Sequence, residues 1–140
     1  MRDSKLFGDE HVRKYEETGG KVGHDWNDTQ VLILHTRGRK SGKERKNPLI
    51  YGRAGDDYLV IASKGGAPDH PDWYLNLMTN PNTTIQVWSD LIAVAAHTAT
   101  PEEKARLWPT MTAQWPDYDA YQKRTERDIP LVILSPRAPK

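Results

Sequence analysis

The sequence has no cysteine, a single phenylalanine and almost no net charge, at +1 with 20 Lys+Arg against 19 Asp+Glu. The missing cysteine excludes disulfides, thiolate metal sites and cysteine nucleophiles, and it fits a cytosolic protein. No apolar run approaches the roughly 20 residues that span a bilayer. The opening Met1-Arg2-Asp3-Ser4-Lys5 also lacks the apolar core of a signal peptide. The five histidines, His11, His24, His35, His70 and His97, are scattered without ligand spacing, so no metal is expected. No Gly-x-Ser-x-Gly nucleophile elbow occurs. A chain of 140 residues is long enough for one domain with a real core.

What is present is concentrated in two glycine-broken basic stretches and a set of amphipathic aromatics. Thr36 to Lys46 holds six cations, Arg37, Arg39, Lys40, Lys43, Arg45 and Lys46, interrupted by Gly38 and Gly42. It follows the apolar run from Val31 to Leu34 and precedes Asn47-Pro48-Leu49-Ile50-Tyr51, so it reads as a basic loop between two strands. Glycine lets main-chain N–H groups approach an anion, and Lys and Arg attract phosphate or carboxylate. It is not an ATP-type P-loop, which needs Gly immediately before Lys and a helix behind it; Arg39 precedes Lys40, and Pro48 with a strand pattern follows. The second stretch, Ser63 to Pro71, carries Lys64, Gly65 and Gly66. Five Trp and six Tyr supply flat rings with polar handles, suited to pocket walls as well as cores.

The order of elements reads as follows. Residues 1–30 form a helix from about Ser4 to Thr18, stopped by Gly19-Gly20, and an irregular link carrying Trp26. Residues 31–140 form the main domain. Its strands are expected at Val31 to Arg37, Asn47 to Arg53 and Tyr58 to Ala62, paired as an antiparallel meander because the links are too short for parallel crossovers. A helix follows over Asp72 to Met78, then strands over Thr83 to Trp88 and Leu91 to His97. Thr100-Pro101-Glu102-Glu103 is a capping box opening a helix toward Trp108. Pro109 and Pro116 each suit the start of a new helical segment. The last helix spans Asp117 to Arg127 and the last strand Ile129 to Leu134. About six strands with helices between them predict an α+β domain built on a small, partly open barrel.

On such a barrel both basic loops can line one rim, and Arg39, Lys40, Arg45 and Lys64 would then grip a long anionic ligand. Tyr51, Trp73, Trp115, Tyr118 and Tyr121 would form a flat apolar wall for a ring system. A cofactor with a planar head and an anionic tail fits both features. A single-stranded nucleic acid fits less well, because the cations cluster in one loop and the chain lacks an overall basic bias.

Leu32-Ile33-Leu34-His35-Thr36-Arg37-Gly38-Arg39-Lys40-Ser41-Gly42 with Asn47-Pro48-Leu49, and Ala62-Ser63-Lys64-Gly65-Gly66-Ala67-Pro68-Asp69-His70-Pro71-Asp72-Trp73-Tyr74-Leu75-Asn76-Leu77 with Asn80-Pro81, resemble the deazaflavin-dependent nitroreductase family of actinobacteria. Tyr118, Tyr121-Gln122 and Asp128-Ile129-Pro130-Leu131-Val132 agree with it, so the resemblance runs from about residue 30 to the end. It implies a flavin-reductase-like split β-barrel binding coenzyme F-420, a deazaflavin with a phosphate and a polyglutamate tail. Carried over, Arg39, Lys40, Arg45 and Lys64 hold phosphate and tail, Pro48, Tyr51, Ala62, Ser63, Trp73 and Asn76 hold the ring, and Ser41, Asn47 and Gly65 are further cofactor contacts. Trp115, Tyr118 and Tyr121 face the substrate, with Tyr118, Tyr121 and Ser63 as catalytic candidates. Trp115 departs from the tyrosine-like residue of the family pattern. The implied reaction is hydride transfer to a quinone, nitro or other conjugated acceptor. The alternatives are an F-420 carrier without turnover, or a flavin mononucleotide-binding barrel. Monomer and dimer both stay open. For the first helix, two roles are open: closing over the site, or peripheral contact with the inner face of the membrane.

Overall fold

The computed structural model describes residues 8–137. Helix α1 spans Gly8–Thr18 and ends where Gly19 and Gly20 take φ of 61° and 84°, a left-handed exit open to glycine. The expected start at Ser4 lies outside the described residues. Eight strands follow: β1 Asp25–Trp26, β2 Thr29–Arg37, β3 Glu44–Ile50, β4 Gly52–Ala54, β5 Asp57–Ile61, β6 Asn82–Val87, β7 Asp90–Thr98 and β8 Leu131–Pro136. Helix α2 is Asp72–Thr79, α3 Pro101–Thr112 and α4 Asp117–Lys123.

The pairing is antiparallel throughout, in the order β1-β2-β6-β7-β8-β5-β4, with β3 also on β2. Strands β3 and β4 thus lie at opposite ends of that order, yet only Tyr51 separates them in the chain. One near-continuous segment therefore joins the two edges and forces the sheet to curl into a split barrel. This corrects the expected meander: Asn47 to Arg53 is not one strand, because it breaks at Tyr51 and pairs with β2 before the break and β5 after it. The count rises from six strands to eight because β1 and β4, of two and three residues, are too short to show a period.

Period-two alternation explains why the central strands are apolar on both faces. Leu32, Leu34, Tyr58, Val60, Val132 and Leu134 pack in one cluster with Trp73 and Leu77 of α2. Their neighbours Leu59, Ile61, Leu131 and Ile133 pack in a second cluster under Leu107 and Met111 of α3 and Tyr118 of α4. Val31 and Ile33 meet Val12 and Tyr15 of α1 in a third. Helix α1, patchy in sequence, is thus firmly docked.

The capping box forms as expected: Glu103 N–H donates to Thr100 Oγ1 at 3.2 Å, and Thr100 N–H to Glu103 Oε1 at 2.9 Å. Pro109 is a correction, since it lies inside α3 and does not open a new helix. Its missing N–H costs one intrahelical bond, while Leu107 and Met111 on either side are buried and hold the helix through it.

Candidate functional site

Strand β3 is the spine of the site. Its C-terminal residues Pro48, Leu49 and Ile50 line a flat pocket of about 370 Å³, and Glu44 to Asn47 line a groove of about 930 Å³. Lys64, Pro71 and Trp73 border both, so the two spaces adjoin. Lys40 and Lys64, brought from different loops, line the same groove.

Six cations face the groove, and their neighbours sort them. Arg39 is held in place: its N–H and its guanidinium donate to Asn76 Oδ1 at 3.1 and 2.9 Å, and the guanidinium lies 3.5 Å from Asp72. Asn76 is buried, so this bond satisfies an otherwise stranded amide and fixes the loop on α2. Lys46 is bound by Glu16 at 2.7 Å, a contact that raises its pKa. Arg13 lies 3.3 Å from Glu17. Lys40, Arg45 and Lys64 have no ion pair among the described residues, which leaves their charge for a ligand. The basic loop itself is shorter than expected, because Glu44, Arg45 and Lys46 already belong to β3.

The loop bearing Ser63 and Lys64 has an unusual backbone. Lys64, Gly65 and Gly66 take φ of 47°, 63° and 84° in succession. A Cβ on Gly66 would lie 2.6 Å from the Tyr121 carbonyl oxygen, so the loop docks directly on the backbone of α4. Arg127 holds it from behind. Its guanidinium donates to the carbonyls of Ala67 at 2.8 Å, Ser63 at 2.8 Å and Ala62 at 3.3 Å, and to His70 Nδ1 at 3.1 Å. His70 accepts there only when that nitrogen is unprotonated, and burial with Arg127 alongside keeps its pKa below the ordinary imidazole value.

Trp115, Tyr118 and Tyr121 line the flat pocket with Ser63, Gly65 and Trp73. The Trp115 indole donates to the Tyr121 hydroxyl at 3.1 Å, which leaves the Tyr121 O–H to donate elsewhere. Burial pushes the Tyr118 phenol far above its ordinary value, with Tyr121 adding to the shift, so it stays protonated across the neutral range. Trp26 stacks on Trp115 with centroids 5.8 Å apart and closes the wall.

The groove also gathers Arg39, Ser41, Arg45, Asn47 and Asn76, and the flat pocket Pro48. Tyr51 and Ala62 line neither space. Ile50 and Ile61 face the pocket, so the next residue on each extended segment faces the core. Tyr51 bonds His24 Nε2 at 2.8 Å through its hydroxyl, and burial pushes that hydroxyl up to about 12. Sequence reasoning missed Trp26, Ile61, Arg127 and the α1 residues. Trp26 alone had a visible signal, as a large ring in an otherwise polar link.

The curled antiparallel sheet with its basic groove beside a flat aromatic pocket has the flavin-reductase-like split-barrel fold. HutZ, a heme storage protein from Vibrio cholerae, shares that fold at 14% identity and TM-score 0.60, over 99% of this chain and 93% of its own. The chain belongs to the F420H(2)-dependent quinone reductase family, whose model matches residues 8–136. F420H(2)-dependent quinone reductase Rv1261c of Mycobacterium tuberculosis is 40% identical over 131 residues, covering 91% of this chain and 88% of the relative. Rv3178 of the same organism is 45% identical over 107 residues, 76% of this chain and 90% of the relative. Among solved structures, an F420-H2 dependent reductase (FDR-A) superposes with TM-score 0.69 at 35% identity, over 75% of this chain and 93% of its own. A chain described as a domain-swapped dimer gives TM-score 0.73 at 33% identity, over 89% and 92%. Among the described residues no helix is long and apolar enough to cross a membrane.

Proposed function

We propose that this protein binds reduced coenzyme F-420 and passes a hydride to a quinone. The observation that carries the reading is that the basic groove and the flat pocket adjoin at Lys64, Pro71 and Trp73, in a member of this family. The residues fit the group. Lys40, Arg45 and Lys64 hold unneutralised charge for a phosphate and a chain of carboxylates, and Pro48, Leu49 and Trp73 offer a flat apolar bed for a ring. When bound, the reduced deazaflavin supplies a hydride, because carbon stands where a flavin has N5.

The protein's part is placement and a proton. Trp26, Trp115 and Tyr118 wall the pocket and exclude water from an acceptor lying over the ring site. A quinone that accepts a hydride also takes up a proton, and Tyr121 is our candidate donor, because its oxygen accepts from the Trp115 indole and its own O–H is left to donate. Tyr121→Phe is expected to slow single-turnover hydride transfer about tenfold, with Tyr118→Phe acting more weakly. Unchanged rates in both would remove tyrosine from the chemistry.

The direct test is fluorescence titration with F-420 and with flavin mononucleotide, followed by menadione added to the reduced F-420 complex. F-420 is expected to bind more tightly and to be oxidised. Binding without oxidation by any quinone tried would make the protein a carrier, and tighter flavin mononucleotide binding would make it a flavin protein.

A further inference from the structure

Helix α1 has two working faces. On the rear, His11 and Tyr15 are buried, and Val12, also buried, stands at the border of the two faces. His11 Nε2 bonds the Gly23 carbonyl at 2.8 Å, and the Tyr15 hydroxyl accepts from Trp88 N–H at 2.9 Å and donates to the Gln86 carbonyl at 3.3 Å. These bonds and the packing on Val31 and Ile33 dock the helix on the barrel. On the front, Asp9, Val12, Arg13 and Glu16, at positions i, i+3, i+4 and i+7, form one wall of the basic groove. Glu16 takes Lys46 at 2.7 Å, with both side chains about two-thirds covered, and Glu44 lies 3.9 Å from the same ammonium. None of these residues lines the flat pocket. Lys46 stands two residues along β3 from Pro48, about 7 Å at the rise of a strand. The helix thus meets a ligand beyond its ring, where an anionic tail would run.

Carboxylates on the wall of a polyanion groove oppose its purpose unless they limit what binds. We propose that α1 is a selectivity wall for the tail: Glu16 takes Lys46 out of service, Arg13 on the same wall is engaged by Glu10 and Glu17, and Asp9 sets negative charge against tail carboxylates beyond those taken by Lys40, Arg45 and Lys64. The groove therefore discriminates against long tails. This rests on the reading that F-420 occupies the groove.

The test measures dissociation constants by fluorescence for F-420 with one, three and six glutamates, and for the deazaflavin-ribityl fragment without phosphate or tail. Wild type and Glu16→Gln are compared at low ionic strength. The expected result is a tightening in Glu16→Gln that grows with tail length, to about three- to tenfold for the longest, and no change for the tailless fragment. Glu16→Gln with Lys46→Gln in one chain should lose the gain, because the released ammonium is gone. An equal change for all four ligands, or none for any, overturns the wall. A structural role for Glu16 would weaken all four alike and lower the melting temperature. If Glu16→Gln does not fold, Asp9→Asn leaves the ion pair intact and must show the same ranking at smaller amplitude; a flat response there also overturns the proposal. Wild type failing to bind any F-420 overturns the cofactor reading itself, an outcome distinct from binding without length dependence.

Discussion

Arg127 shows how a single side chain can set a site it does not line. Three carbonyls and His70 Nδ1 converge on its guanidinium, and the loop they belong to holds three successive left-handed residues. Such a backbone persists only where its surroundings over-determine it. Arg127→Ala is expected to lower stability by about 2 kcal/mol and to weaken F-420 binding about tenfold, as measured by melting temperature and fluorescence titration. Arg127→Lys should recover little, because a point charge cannot match a planar fork. His70 gives this clamp a pH dependence. Its folded pKa lies below the unfolded value, so the unfolded chain binds the proton more readily and stability rises with pH in that window. The stabilisation is present above the ordinary imidazole value and is lost as pH falls through the depressed one. His35, held low mainly by burial, has the same sign. Melting temperatures from pH 7.5 to 5 should therefore fall less steeply in His70→Asn than in wild type, with the His35 share remaining.

At the scale of elements, the contact between the glycine loop and α4 couples two walls of the flat pocket. Gly66 approaches the Tyr121 carbonyl so closely that any side chain must push the two apart, and its φ of 84° adds strain. Gly66→Ala is expected to cost about 2–3 kcal/mol in denaturant unfolding. It should also raise the KM for quinone, because Tyr118 and Tyr121 move with α4. The existence of these elements was readable from the chain: Thr100-Pro101 with Glu103 marks the start of α3, and the alternation of Thr83 to Trp88 marks β6. Their ends were less so. The break at Tyr51 is set by which edge each half of the segment joins, a long-range choice without a local signature.

Across the whole molecule, near-zero net charge conceals a local excess of cations, six against the four acids Asp9, Glu16, Glu44 and Asp72 on the groove lining. Lys40, Arg45 and Lys64 converge unpaired on one groove, while Arg39 and Lys46 are neutralised by Asp72 and Glu16. Lys40→Gln and Lys64→Gln are each expected to weaken F-420 binding about fivefold at low ionic strength, the loss shrinking as salt rises toward ~0.5 M. A salt-independent loss would mean that neither ammonium meets the tail. Barrel closure makes the convergence possible, since β3 runs from the flat pocket into the groove and the two basic loops reach its length from different directions.

The linear order of residues determined the barrel class, the two cationic glycine loops and the aromatic set, because glycine, proline, charge and period two act within a few positions. Only the tertiary structure decided which neighbours share a face. Strand pleat sends Ile50 and Ile61 to the pocket and Tyr51 and Ala62 to the core, a one-residue distinction fixed by what packs on each side. It likewise decided that α1 is a wall and Arg127 a clamp, since both act through groups far along the chain that folding alone brings within bonding distance.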